Sequence, residues 1–232
     1  MLCVMTESRT DSSAKHLAEA QDYSDRLNAS LPDRIQIAAL TLKSKLPFKA
    51  VSIRELLIHR MAALASAAVD LFKQKRAIPA VILTRAIVET AAVMLIFHER
   101  LGRFLDDKSK DISAFDDFLM RCLLGARNNP DMPTPTNILT LVDRVEQRLP
   151  GFRGVYDGLC ECAHPNWAGT FGAYGQIDKE NFELKLGPAE RSTAYTVGLA
   201  ALSGTLLLFE HYYNDSGDLV RKFNDYFESL PT

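Results

Sequence analysis

Apolar residues recur along most of the chain at intervals of three and four, in runs much longer than a strand, and this periodicity predicts a mainly α-helical protein. After a polar start over residues 1–12, read as a flexible N-terminus, a first helix is expected over Ser13–Ala29, punctuated by Leu31-Pro32-Asp33. A second is expected from about Arg34 to just before Pro47. A long third, about Ala50–Gln74, would bury Ile53, Leu56, Leu57, Met61, Leu64, Ala68 and Leu71 along one stripe. Lys73, Lys75 and Arg76 close it as the helix dipole favours.

The segment from Pro79 to about Leu101 is apolar on every side, which marks a central helix. Shorter helices are expected over Ile112–Gly125, Asn137–Leu149 and Phe152–Ala163, with the proline-rich RNNPDMPTPT as an irregular connection. Residues 167–187 differ in being rich in glycine and aromatics. Their alternation of Phe182, Leu184 and Leu186 predicts a short β-hairpin around Lys179-Glu180-Asn181 or an irregular insertion. Two helices, about Ala189–Tyr213 and Gly217–Leu230, finish the chain, with Asn214-Asp215-Ser216-Gly217 as their turn. Residues 13–232 carry no internal repeat or linker, so they read as a single all-α bundle of about eight helices.

Composition narrows the class without choosing a function. With 27 basic against 29 acidic residues, a formal charge of −2 and 47% hydrophobic residues, the chain is neither disordered, nor collagenous, nor basic enough to announce nucleic acid on charge alone. Four scattered cysteines form no disulfide framework, and the first ten residues lack a signal-peptide pattern, so a cytoplasmic protein with reduced thiols is expected. Ser192–Phe209 is free of charge for 18 residues, but its Ala, Gly, Ser and Thr suit close helix packing better than lipid. Ala77–Phe97 is interrupted by Pro79, Arg85 and Glu89. No membrane insertion is expected, and the small residues around Ala200 and Gly204 offer a face for a homo-oligomer.

Candidate chemistry starts with Arg85 and Glu89, four residues apart in AVILTRAIVETAAVMLIF, where the other polar groups are threonines. A buried charge left alone is costly, so each needs a partner. One reading is an ion pair that sets helix register; the other is a preorganised site where Arg85 binds a small anion and Glu89 acts as acid or base. In VYDGLCECAHPNW, Tyr156, Cys160 and Ala163 share a helical face, and Pro165 ends the helix at His164. There the helix dipole favours an imidazolium. His164 and Asn166 can equally satisfy carbonyls at the helix end.

These two stretches, R-A-I-V-E and Y-D-G-L-C-E-C-A-H-P-N, resemble a family of all-helical, mostly bacterial proteins without an assigned activity. Its motifs are Arg-x-x-x-Glu and Tyr-x-x-Leu-Ser-x-x-x-His-Pro. The likeness extends over about Val51 to Glu210, with Cys160 standing where the pattern has serine. It implies a helical bundle in which Arg85, Glu89 and His164 converge on one internal polar centre. More distantly the pattern is similar to the HEPN superfamily, helical bundles that often act as metal-independent ribonucleases through an Arg-x(4–6)-His motif. In such chemistry a histidine takes the proton of a ribose 2′-hydroxyl while an arginine stabilises the phosphorus transition state. Arg54 and His59, in R-E-L-L-I-H, match that spacing, which a chain of this composition meets about once by chance.

Glu161-Cys-Ala-His164 has the Glu-x-x-His spacing of di-iron bundles, but such bundles need the motif twice. Cys160, Cys162 and His164 would project in divergent directions from a helix. No metal and no cofactor is expected. The residues read as catalytic are His164, Arg85 and Glu89; those read as ligand-binding are Arg85, Glu89, Tyr156, Glu161, His164 and Asn166. The leading functional expectation is a helical binding or interaction protein, in a stress or defence setting, that takes a small anion or a protein partner. The alternative is a HEPN-like, metal-independent ribonuclease acting on RNA.

Overall fold

A computed structural model describes residues 2–107, 110–188 and 193–231, with side chains from Ser12 onward. The described residues form eight helices: α1 (Leu2–Ala29), α2 (Leu46–Lys73), α3 (Ala77–Asp106), α4 (Ile112–Leu124), α5 (Ile138–Glu146), α6 (Phe152–Ala163), α7 (Gly172–Tyr174) and α8 (Thr193–Ser229). Strands β1 (Gly175–Asp178) and β2 (Glu183–Leu186) pair as an antiparallel hairpin. This is the all-α bundle with a small hairpin that the periodicity predicts.

Helix α3 is central because it is apolar all round. It packs against α2, α5, α6 and α8, and buries Val81, Ile87, Val88, Ala91 and Phe97. Helix α8 approaches it closely at Gly198, where an added Cβ would lie 2.7 Å from Val81 Cγ2 and 2.8 Å from Phe72 Cζ. Helix α1 covers α2 and α8, burying Ala20 and Leu27, while Arg26 Nε donates to Glu210 Oε1 at 2.8 Å. Two helices, Ala77–Asp106 and Thr193–Ser229, are long and apolar enough to cross a membrane; 67% and 50% of their most apolar stretches are buried inside the bundle.

Four elements differ from the sequence expectation. Helical backbone in α1 begins at Leu2, N-terminal of the expected Ser13. The helix expected from Arg34 is absent, and only one 3₁₀ turn, Ile37–Ala39, forms there. The segment instead straps the end of α8: Thr41 N–H donates to Asn224 Oδ1 at 2.9 Å, and Lys43 Nζ donates to the Glu228 and Leu230 carbonyls at 2.7 and 2.8 Å. The two lysine bonds satisfy carbonyls left open at the end of α8, which a short independent helix would not have done. Helix α2 then starts at Leu46 with Pro47 in its first turn, and Leu56 is exposed rather than part of the buried stripe.

The last difference is the continuity of α8. Asn214-Asp215-Ser216-Gly217 is a turn signal by composition, yet helix runs through it. Ser216 Oγ donates to the Tyr213 carbonyl at 2.7 Å and accepts from Arg54 Nε at 3.1 Å. Downstream, Val220, Phe223 and Phe227 are buried. Their burial outweighs the roughly 1 kcal/mol that an interior glycine costs a helix. The expected start of this helix near Ala189 falls outside the described residues.

In the hairpin, Gly175 pairs with Leu186, Ile177 with Leu184 and Asp178 with Glu183. Since side chains alternate faces, Ile177, Leu184 and Leu186 share one face of the ribbon and Gln176 and Lys185 the other. The turn is tied by the Asp178 carboxylate, which accepts from Lys185 Nζ at 2.7 Å and from the Glu180 and Asn181 N–H groups at 3.0 and 3.1 Å. Lys185, then Asn181, hold this carboxyl down to about 2.

Candidate functional site

Helices α3 and α6 bring Arg85, Glu89 and Tyr156 together. Arg85 Nε and Tyr156 OH both donate to Glu89 Oε1, at 3.2 and 3.0 Å, and the Arg85 guanidinium carbon lies 5.6 Å from the Tyr156 ring centre. The α6 end of this contact is set by the turn before it. Gly151 adopts the left-handed φ of 98° that starts the helix, and the Glu146 carboxylate accepts from the Gly151 and Arg153 N–H groups at 3.0 and 2.7 Å. Those first-turn donors draw the Glu146 carboxyl below its usual range.

The triad is only partly desolvated. Burial opposes the charge of Arg85, but Tyr156, Cys160 and Glu89 outweigh it, so the guanidinium holds its proton more firmly than usual. One carboxylate oxygen serves two donors and neutralises one cation. That arrangement clamps α6 to α3, and it leaves the Arg85 charge already matched.

The remaining predicted residues lie at the other end of α6. Asn166 Nδ2 donates to Glu161 Oε1 at 2.6 Å, while its Oδ1 accepts from the Gly169 N–H at 3.1 Å and caps a π turn, Trp167–Phe171. Gly169 sits against the His164 and Cys162 carbonyls, where any Cβ would clash. Glu161 and Asn166 thereby hold the turn against the end of α6. His164 is exposed, and among the described residues its imidazole has no hydrogen-bond partner. The internal centre of Arg85, Glu89 and His164 therefore does not form. Helix α6 ends at Ala163, and His164 takes extended backbone, φ −81° and ψ 149°, beyond the helix that carries Tyr156 and Cys160.

A second polar network, which sequence reasoning missed, joins α2 to α8. Arg54 pairs with Glu55, its Nε and Nη2 donate to the Tyr213 carbonyl at 3.3 and 3.2 Å, and its guanidinium stacks 3.7 Å from the Tyr213 ring centre. Tyr213 OH closes the loop on Glu55 Oε2 at 2.7 Å. The signal was present, since Arg54 and Glu55 also interrupt an apolar helical run. Arg54 and His59 do not meet: five residues on a helix turn them about 140° apart, and His59 Nε2 bonds the Pro32 carbonyl at 2.8 Å.

Other reactive groups are quiet. Burial pushes the Cys122 thiol up to about 12 and raises that of Cys162. Among the described residues no three His, Cys, Asp or Glu side chains are grouped to hold a metal ion. No protein-family model, curated protein or solved structure matches this chain.

The two phenols give this geometry a pH signature. Burial chiefly pushes Tyr156 and Tyr213 up to about 12, with Glu89 and Glu55 adding to it. An unfolded phenol ionises near about 10. Their contribution to stability is therefore whole below about pH 10 and is lost as pH rises through about 12. The urea midpoint is expected to fall across that window, and to fall less in a Tyr156→Phe, Tyr213→Phe double variant. Equal slopes in the two proteins would show that neither phenol is held neutral by the fold.

Proposed function

We propose that this protein is a binding module that pairs with a second copy of itself through the face presented by residues 167–186. The observation carrying this reading is the concentration of exposed apolar groups there. Of 19 exposed large hydrophobic residues among the described residues, seven lie in this segment, among them Trp167 at 70%, Phe182 at 95% and Leu186 at 81% exposure.

Two-stranded hairpins are marginal in water, and exposed apolar patches of this kind mark interaction surfaces. Three points favour a second copy as the occupant. The face formed by Ile177, Leu184 and Leu186 carries no charge, so an identical face meets it without repulsion. Among the described residues, no further strand pairs with the outer edge of either strand. A two-fold contact places the same patch on both sides and closes the assembly at a dimer. By comparison the α8 surface around Ala200 and Gly204 offers only Val197 and Leu207 as exposed large apolar groups. In this reading the Arg85–Glu89–Tyr156 clamp is structural and holds α6, which carries the face, on the bundle. A cytoplasmic setting suits the free thiols.

Sedimentation velocity over a concentration series tests this. The wild type is expected to dimerise, and a Phe182→Ser, Leu186→Ser variant of unchanged circular dichroism to remain monomeric. A monomeric wild type, or an equally dimeric variant, overturns the proposal. The ribonuclease reading rests on the exposed His164 at the end of α6. It is separated by incubating wild type and His164→Ala with mixed-sequence RNA in excess chelator. We expect no cleavage by either; cleavage by the wild type alone replaces the binding reading with a metal-independent nuclease.

A further inference from the structure

The C-terminal half of α3, the start of α4 and the end of α5 line an open cleft of about 480 Å³, a size that takes a small molecule. Four guanidiniums line it: Arg100 and Arg103 on α3, Arg144 on α5, and Arg148 just beyond. Glu99 is the carboxylate that answers them, pairing with Arg103 and accepting from Arg148 Nη2 at 2.9 Å. The other charged lining groups with described partners are engaged elsewhere. Lys110 Nζ donates to the Phe104, Leu105 and Asp107 carbonyls at 2.9, 2.8 and 3.0 Å, which caps α3. The Asp111 carboxylate accepts from the Ala114 N–H at 2.9 Å, which caps α4.

Arg100 is the anomaly. It is half-buried and stacks 4.3 Å from the Phe118 ring centre, yet among the described residues neither it nor Arg144 has an ion pair or hydrogen bond. Burial, then the charges of Arg144 and Arg103, press its pKa down from the ordinary value, so the fold holds a cation against repulsion. With Lys110 the four guanidiniums make five cations against the carboxylates of Glu99, Asp107 and Asp111, which leaves a local excess of about two positive charges. Planar guanidinium forks match phosphate oxygens in pairs, and several converging on one cavity recognise clustered phosphates.

We propose that this cleft binds a small molecule bearing two or more linked phosphates, gripped by Arg100 and Arg144, with Arg103 and Arg148 completing the clamp. The site shares no residue with the hairpin face and stands whether or not the protein dimerises. A long nucleic acid would need a basic stripe, whereas these arginines gather at one cleft on a chain whose net charge is −2.

Calorimetric titration of the full chain with inorganic pyrophosphate at low salt tests the proposal. Binding is expected in the wild type, tighter than that of inorganic phosphate, and weakened at least about tenfold in an Arg100→Gln, Arg144→Gln variant. Because a loss of binding can follow from misfolding, Glu99→Gln supplies the opposite sign. Releasing Arg103 and Arg148 from their carboxylate is expected to tighten pyrophosphate binding. Absence of binding in the wild type, unchanged affinity in the double variant, or no gain in Glu99→Gln overturns the proposal. Displacement of pyrophosphate by single-stranded RNA at lower phosphate concentration than by ATP would overturn the small-molecule assignment.

Discussion

Gly198→Leu is expected to lower the stability of the bundle by about 3 kcal/mol or more, at the upper end of what overpacking a core costs. Even the first carbon of the new side chain would lie 2.7 Å from Val81 Cγ2 and 2.8 Å from Phe72 Cζ. Both neighbours are fully buried, and Phe72 is already packed edge-on to Tyr195 at 5.5 Å between ring centres. Neither can move aside without opening the α2–α3–α8 junction. Replacing glycine in a helix interior ordinarily gains about 1 kcal/mol of helix propensity, so the sign of the outcome separates packing from propensity. Urea denaturation followed by circular dichroism reads the difference. A midpoint equal to or above that of the wild type would mean that the helices are not as close at this point as described.

Arg54→Ala is expected to cost about 3 kcal/mol, against about 1 kcal/mol for Arg85→Ala, although both arginines sit in apolar helices beside a glutamate. Solvent access decides between them. The Arg54 and Glu55 side chains are 16% and 14% exposed, whereas those of Arg85 and Glu89 are 36% and 25% exposed. Removing Arg54 leaves a largely buried carboxylate without its cation and takes two donors from the Tyr213 carbonyl. Removing Arg85 leaves Glu89 its hydrogen bond from Tyr156 and access to water. The same urea measurement compares the two variants. Equal losses would place the main electrostatic anchor on α3 and α6 instead of α2 and α8.

The reversal of rank between these two pairs shows how far sequence reaches. A charge within an apolar helical run signals that the fold must supply a partner. How much water remains around the pair depends on what packs over it, and the pattern along one helix does not contain that. The same limit explains His164. The proline that ends α6 is visible in the sequence, but the π turn that sets Gly169 against the His164 and Cys162 carbonyls is not. The four arginines of the proposed phosphate site are separated in sequence by an irregular connection, so no spacing announces them.

What the sequence by itself determined is the class of fold and its central member. A 3.6-residue apolar period specifies helices, a stretch apolar all round must be the innermost one, and the alternation of Phe182, Leu184 and Leu186 specifies the short hairpin. These are local rules, acting over a few turns of chain. The tertiary structure alone decided that residues 31–45 would strap α8 instead of forming a helix, because hydrogen bonds to Asn224, Glu228 and Leu230 outweigh a marginal local preference. It alone carried α8 through Gly217, where burial of Phe223 and Phe227 exceeds the turn signal. It also brought Arg144 of α5 up to Arg100 of α3 at one cleft, since charge proximity between distant segments arises only when they pack.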